Sequence, residues 1–371
     1  MNKQHSMVTG IRVIALLVTV AAGLLSILAT NDNGADDNQG YAVAFPVLAA
    51  DGVNTRVRWS ADGASWSDGA FPVGFGDGSG NALAAVPDKT LFIAGWQTNG
   101  QVRMQQGLGT GNWSGTPIAA IPSENARSAP SSVFMEQGKW LVAFRAKSDT
   151  PNGGDRMVLR ILDTSVTPPR YLAGNRFGYP GQDTDTSGRP AVAYVNGKVL
   201  LTWVTTPARL HLAVGQLAGD NITWQGHSLF ELTEPNCNPL RSDPVLSHDH
   251  SAFYLGFLCS NNTLPPTGAS MYIHRSADGL NWSYYGNWDK RPDGIRLGAN
   301  IGIAGRADGS LIGAAITMAP NPQFIVARCA GGDACKESGN TTWQAVDWQA
   351  VFGPRAPDGK FAFIATGHPA E

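Results

Sequence analysis

An all-β fold, a six-bladed β-propeller of four-stranded antiparallel blades closed by a C-terminal strand, is what this sequence predicts, and three observations carry the prediction. The first is composition. Charged residues are 15% of the 371-residue chain and hydrophobic ones 43%, with 44 glycines, 23 prolines and 11 tryptophans. Charge is well below the roughly 25% of an average globular protein, and turn formers are abundant, as many short strands require. The second is a tryptophan-bearing repeat with a period of roughly 55 residues, within the span of propeller blades. The third is a recurring pair of apolar runs around a tight turn, with no long segment of helical periodicity.

The repeat is clearest in two copies. Arg58-Trp59-Ser60-Ala61-Asp62-Gly63-Ala64-Ser65-Trp66-Ser67 returns as His274-Arg275-Ser276-Ala277-Asp278-Gly279-Leu280-Asn281-Trp282-Ser283. Weaker copies keep a turn and the tryptophan, ending at Trp113, Trp224 and Trp343. The tryptophans that end these copies, from Trp66 through Trp113, Trp224, Trp282 and Trp343, are 47, 111, 58 and 61 positions apart. The interval of 111 is two periods with one tryptophan missing, near residues 159–172. Six units then fill residues 41–371.

Along the chain, residues 1–30 form a separate object. Lys3 and Arg12 precede an apolar run over 13–29, and Asp32, Asp36 and Asp37 follow it. A basic flank, an apolar stretch and an acidic flank make an export signal whose N-terminus stays in the cytoplasm. Ile27 and Ala29 are a mediocre cleavage site, so the segment is either removed or retained as an anchor. Residues 31–40 read as a flexible lead. Strands are expected at 41–50 and 54–60, and hairpins at 82–95, 132–144, 191–203, 244–257 and 300–314. Asn196-Gly197 supplies the strongest short hairpin signal. The first unit lacks a strand, and residues 360–366 supply it, so the two chain ends share a blade and no sheet edge is left open.

The four cysteines agree with export. Cys329 and Cys335 enclose a small loop, which leaves Cys237 and Cys259 to each other; two bridges suit an even count in an exported chain, and reduced thiols are the alternative. Neither a CxxC pair nor two histidines at ligand spacing accompany them, so no zinc or other metal is expected. Asn112, Asn221, Asn261, Asn281 and Asn340 begin Asn-x-Ser/Thr triplets, relevant only in a eukaryotic secretory pathway.

Ser60-x-Asp62-Gly-x-x-Trp66 and Ser276-x-Asp278-Gly-x-x-Trp282 resemble the Asp-box (BNR) motif of the sialidase superfamily, one turn residue shorter than its longest form. The resemblance runs through the repeat over residues 41–367. In such a box the carboxylate accepts hydrogen bonds from backbone N–H groups of the turn while the tryptophan packs between sheets. The resemblance implies a structural role for these residues, away from the active face, and a sialidase-like glycoside hydrolase acting on an acidic or terminal sugar. The chain also departs from that family. The family's Arg-bearing signature has as its counterpart Ala44-Phe45-Pro46-Val47, without Arg. The tyrosine nucleophile would fall at Ala299-Asn300, and its assisting Glu at Ser242-Asp243, which offers a shorter carboxylate.

Function is expected where the chain runs into each innermost strand. Arg127, Arg189, Arg241, Arg296 and Arg355 stand there. Each either pairs with a local carboxylate, such as Glu124, Asp185, Asp243 or Asp293, or joins a cationic cup for a carboxylate, sulfate or phosphate. The planar guanidinium binds an oxyanion through two parallel hydrogen bonds. Residues 175–189 form the longest connection and carry Tyr179 and Asp185; Glu234, Asp243 and Trp288 stand on the next two. Asp243, Glu234, Asp185 and Tyr179 are the catalytic candidates, because glycoside hydrolysis needs two such groups across a cleft. Trp288 is a candidate for stacking on a sugar face. The His248-Asp249-His250 triplet reads as a solvated hairpin tip.

A net charge of -2 gives no electrostatic footprint for nucleic acid. The expected partner is a glycan or another anionic small molecule, without a cofactor, and the membrane enters only through an uncleaved N-terminal segment. The chain is expected to be a secreted, periplasmic or otherwise extracellular monomer. Two functions stay open: an exported glycosidase, or a non-catalytic propeller that binds a glycan or a protein.

Overall fold

The computed structural model describes residues 41–49, 52–60, 65–67, 80–85, 90–96, 101–108, 119–120, 125–136, 138–147, 155–166, 169–172, 188–205, 209–231, 243–249, 251–260, 269–287, 297–306, 310–317, 323–329, 335, 342–347, 351–352 and 362–365. All of them belong to the unit Gly40–Glu371.

The strands follow one another as antiparallel meanders. β1 (Tyr41–Ala49) and β2 (Gly52–Ser60) open the chain. β3 (Gly80–Ala85), β4 (Thr90–Trp96), β5 (Val102–Leu108) and β6 (Ala119–Ala120) form a four-stranded sheet in sequence order. So do β7 (Ser131–Phe134), β8 (Lys139–Ala146), β9 (Arg156–Asp163) and β10 (Arg170–Tyr171). The third such set is β11 (Ala191–Val195), β12 (Lys198–Thr205), β13 (Arg209–Ala218) and β14 (Asn221–Phe230). β15 (Val245–His248), β16 (Phe253–Ser260), β17 (Ala269–Ser276) and β18 (Ser283–Asn287) pair successively. β19 (Leu297–Gly305), β20 (Leu311–Thr317), β21 (Gln323–Cys329) and β22 (Thr342–Asp347) do the same. A single pair, Ala269 with Leu297, joins these last two meanders.

β23 (Ala362–Ala365) pairs antiparallel with β1, Tyr41 lying opposite Ala365 and Ala44 opposite Ala362. The first and last described strands therefore share a sheet. β3 lies against β7, β7 against β11, β11 against β15, β15 against β19, β19 against β23, and β23 against β3. This closed succession of inner strands is a β-propeller.

Among the described residues, apolar clusters fill interfaces between neighbouring sheets. Val102 and Met104 meet Trp140, Val142 and Phe144; Leu141, Met157 and Leu159 meet Val192, Tyr194 and Trp203. Leu200, Leu212 and Val214 meet Phe253, Leu255 and Phe257. Sheets covered on both faces need apolar residues at consecutive positions rather than in alternation. β12 shows this, with every residue after Lys198 buried.

The repeat tryptophans reveal the ring from within. Trp224 packs on the cluster shared with the preceding sheet, and Trp282 does likewise, 6.3 Å from Phe230 in an edge contact. Trp66, near the start of the chain, packs on the meander of β19 to β22, 5.6 Å from Phe324. Its preceding sheet is thus the last one in sequence. Where the repeat lacks a tryptophan, Tyr171 takes the place: it packs on the preceding cluster and its hydroxyl reaches Met104 Sδ at 3.5 Å.

Asn196 and Gly197 both have positive φ, 47° and 78°, the geometry of a two-residue turn whose twist matches the strands it joins. Cys329 and Cys335 are bridged, their Cα atoms 5.2 Å apart. Cys259 is also disulfide-bonded; Cys237 lies outside the described residues. Among the described residues no helix is long and apolar enough to cross a membrane.

The tip near His248 differs from expectation. Asp249 is buried rather than solvated. Its Oδ1 accepts hydrogen bonds from the N–H groups of Ser251 (2.6 Å) and Ala252 (2.8 Å), and from Ser251 Oγ (3.0 Å). Its Oδ2 accepts from the Tyr254 hydroxyl at 2.6 Å. Burial alone would raise this carboxyl's pKa, but the hydrogen bonds from Tyr254, Ser251 and Ala252 outweigh it and hold it below the usual value.

Candidate functional site

Pro130, Pro190 and Pro244 immediately precede β7, β11 and β15 and are buried. Proline suits the lead into a strand, where no ladder N–H is required. Aligned on these prolines, Arg189 and Asp243 occupy the same place on neighbouring inner strands, and Ala129 occupies it on β7. Arg127 and Arg241 stand two positions earlier. The two described arginines of the expected cup, Arg127 and Arg189, thus stand at different positions relative to these prolines.

Their surroundings differ accordingly. Arg127 is exposed, and its backbone is bound to the end of β8: its N–H donates to the Arg145 carbonyl at 2.7 Å and its carbonyl accepts from Arg145 Nη2 at 2.9 Å. Arg145 in turn lies 3.5 Å from Asp155. Arg189 is half-buried. Burial lowers its guanidinium's pKa, and the negative charge of Asp243 partly offsets that. Asp243 Oδ1 accepts the Arg189 backbone N–H at 3.1 Å. Gly188 permits this approach, since a Cβ there would run into the same carboxylate oxygen. Among the described residues the Arg189 guanidinium makes no hydrogen bond or ion pair.

Asp243 is exposed, and its Oδ2 has no donor among the described residues. The site thus offers a donor-only cation beside an acceptor-only anion, on adjacent strands of the ring. Of the four catalytic candidates only Asp243 is described; Tyr179, Asp185 and Glu234 lie outside the described residues, as do Arg241, Arg296, Arg355 and Trp288. Phe45, in the counterpart of the Arg-bearing family signature, is a core residue 4.8 Å from Phe352.

The Asp-box at 276–282 lies at the other end of the strands, on the turn from β17 to β18. Asp278 Oδ1 accepts from the N–H groups of Leu280 (2.9 Å) and Asn281 (2.8 Å) and from Ser276 Oγ (3.0 Å). Its Oδ2 accepts from Asn281 Nδ2 at 2.7 Å. Burial would raise its pKa, yet these bonds, led by Asn281's, hold the carboxyl far below the ordinary range. Ser276 Oγ accepts the Gly279 N–H at 2.8 Å, and Trp282 Nε1 donates to the Gly279 carbonyl at 3.0 Å. Gly279 has φ of 82°, a left-handed conformation that glycine adopts without strain. In the other copy Ser60 is buried, Trp66 docks as described and Asp62 lies outside the described residues.

Two further features escaped the sequence. Asp163-Thr164-Ser165 is a box with its ends exchanged: Asp163 Oδ1 accepts from the Ser165 N–H at 3.0 Å and from Ser165 Oγ. The signal was present as a Ser/Asp pair with the same spacing, in reversed order, ahead of Tyr171. The second is a chain of Thr205 Oγ1, His211 and His227, linked at 2.9 and 3.1 Å. Trp203 stacks on His211 at 5.0 Å. Burial lowers the His227 pKa and favours the neutral ring. Its signal is register alone, since Ala213 pairs with His227 and His211 lies one side chain along the same face.

Neither any family model nor any curated protein matches the chain. Solved structures do resemble it. The BP39L lectin from Burkholderia pseudomallei is 14% identical, with 84% of this chain and 80% of that chain covered at a TM-score of 0.51. A protein of unknown function from Dyadobacter fermentans is 13% identical, with 77% and 92% covered at 0.50. A lectin from Aleuria aurantia, described as a six-bladed β-propeller with a novel fucose recognition mode, is 11% identical, with 83% and 95% covered at 0.47. At these identities the likeness is one of fold.

Proposed function

We propose that this chain is an exported six-bladed propeller that binds a glycan at the end of the ring where the inner strands begin. The observation that carries the proposal is Arg189 beside Asp243, a guanidinium without a protein partner among the described residues and a carboxylate tethered next to it. A small number of fixed donors and acceptors is what orients a small-molecule ligand and sets its specificity. The six groups of strands and the succession of inner strands back to β3 support the blade number. The apolar run at 13–29, its charged flanks and the disulfide Cys329–Cys335 support export. The lectin from Burkholderia pseudomallei shares the fold.

Sialidase-like hydrolysis is the second reading, supported by the Asp-box whose hydrogen bonding is now visible around Asp278. It needs a second acid or nucleophile facing Asp243. The test is a glycan array probed with the exported protein, run beside fluorogenic glycosides. Binding that disappears in Arg189→Ala, without turnover, is the expected result. Turnover abolished by Asp243→Asn establishes the hydrolase instead, and an array without binding refutes the glycan-binding proposal.

A further inference from the structure

Arg189 and Asp243 also bear on which sugars the site takes, if it takes sugars as proposed above. We propose that the group held between them is a neutral sugar presenting two adjacent hydroxyls, and that carboxylated, sulfated and phosphorylated sugars are disfavoured.

The reason lies in the hydrogen-bonding inventory. A guanidinium only donates and an ionised carboxylate only accepts, whereas a hydroxyl does both. Two neighbouring hydroxyls can accept from Arg189 with one oxygen and donate to Asp243 Oδ2 with the other. An oxyanion has acceptors alone. It satisfies Arg189 but sets its own charge against Asp243. The sequence by itself, with five arginines and few charges, points to an anionic ligand; Asp243 at the equivalent place on the neighbouring strand reverses that.

Asp243 is held in this role. Its Oδ1 is committed to the Arg189 backbone N–H at 3.1 Å, so the carboxylate is tied to the backbone of the residue whose side chain it accompanies. It neighbours the guanidinium without forming an ion pair with it. A closed ion pair would spend these donors and acceptors on each other; an open one does not. Gly188 leaves the space the carboxylate occupies.

The experiment is an array of matched neutral, uronic, sialylated and sulfated glycans, probed with the full exported chain and with Asp243→Asn, Gly188→Ala and Arg189→Ala. Thermal melts of each variant confirm folding. The wild type should bind neutral glycans preferentially. Asp243→Asn removes the negative charge and should lower neutral binding about tenfold or more, the worth of a charge-assisted hydrogen bond, while raising the acidic-to-neutral ratio. Gly188→Ala, which displaces the same carboxylate without changing any charge, should lower neutral binding and serves if Asp243→Asn fails to fold. Arg189→Ala should lose both classes. A wild type confined to acidic glycans, or an acidic-to-neutral ratio unmoved in Asp243→Asn, overturns the selectivity and leaves glycan binding standing. Silence toward all four classes overturns glycan binding itself and the selectivity with it.

Discussion

Replacing Asp278 with Ala removes an acceptor that serves the turn from four sides: Leu280 N–H, Asn281 N–H, Asn281 Nδ2 and Ser276 Oγ, all between 2.7 and 3.0 Å. Leu280 and Asn281 are exposed, so their freed donors regain water and the full penalty of a buried unsatisfied group does not apply. What is lost is the net worth of two charge-assisted backbone bonds plus the turn's rigidity, about 2–3 kcal/mol, near the upper end for carboxylate caps. Unfolding entropy of about 2.1 cal/mol/K per residue converts this to a fall in Tm of about 3–4 °C for a propeller of this size. Scanning calorimetry of wild type and Asp278→Ala measures it. The pH dependence gives a second handle. The folded-state pKa is depressed from the ordinary value of 3.8, so the stabilisation is complete above that value and is lost as pH falls below it toward the folded pKa. The difference between the two proteins should therefore be constant near neutrality and shrink below about pH 4. A Tm difference below about 1 °C at neutral pH, or one that widens on acidification, refutes the reasoning.

Deleting residues 360–371 removes β23, strips β1 of its partner over Tyr41 to Ala44 and breaks the contacts of β23 with β19 and β3; gel filtration should show aggregation in place of a monomer. Replacing Cys329 and Cys335 with Ser opens a short loop, for which chain entropy predicts a loss of roughly 2 kcal/mol; denaturant titration of the variant against the wild type, both under non-reducing conditions so that the Cys259 bridge is kept, measures it. Tyr254→Phe leaves buried Asp249 without the 2.6 Å hydroxyl donor at Oδ2, a cost of about 1.5–3 kcal/mol for a bond to a charged group. Denaturant titration checks it, and because hydrogen bonds depress the Asp249 pKa, the difference should persist at neutral pH and fade under acid conditions.

The sequence alone determined the features that form within a few consecutive residues. The hairpin around Asn196-Gly197 follows from the left-handed φ those two residues tolerate. The box at 276–282 follows from a carboxylate within reach of amides two and three residues ahead. Paired apolar runs imply sheets covered on both faces, and the interval of the tryptophans implies their repetition. Even the unit without a tryptophan was legible as a gap, although its substitute, Tyr171 behind a reversed Ser/Asp pair, was not. Only the tertiary structure decided which distant residues became neighbours. Arg127 and Arg189 look alike ahead of their strands, yet a shift of two positions relative to the adjoining proline leaves one exposed and sets the other beside Asp243, 54 residues away. The burial of Asp249 depends on Tyr254 from the returning strand, and the pairing of His211 with His227 depends on cross-strand register. Local turns are set by short-range hydrogen bonds that a sequence displays. The chemistry of a ring's rim is set by which strands stand side by side, and at what depth, once the sheets have packed.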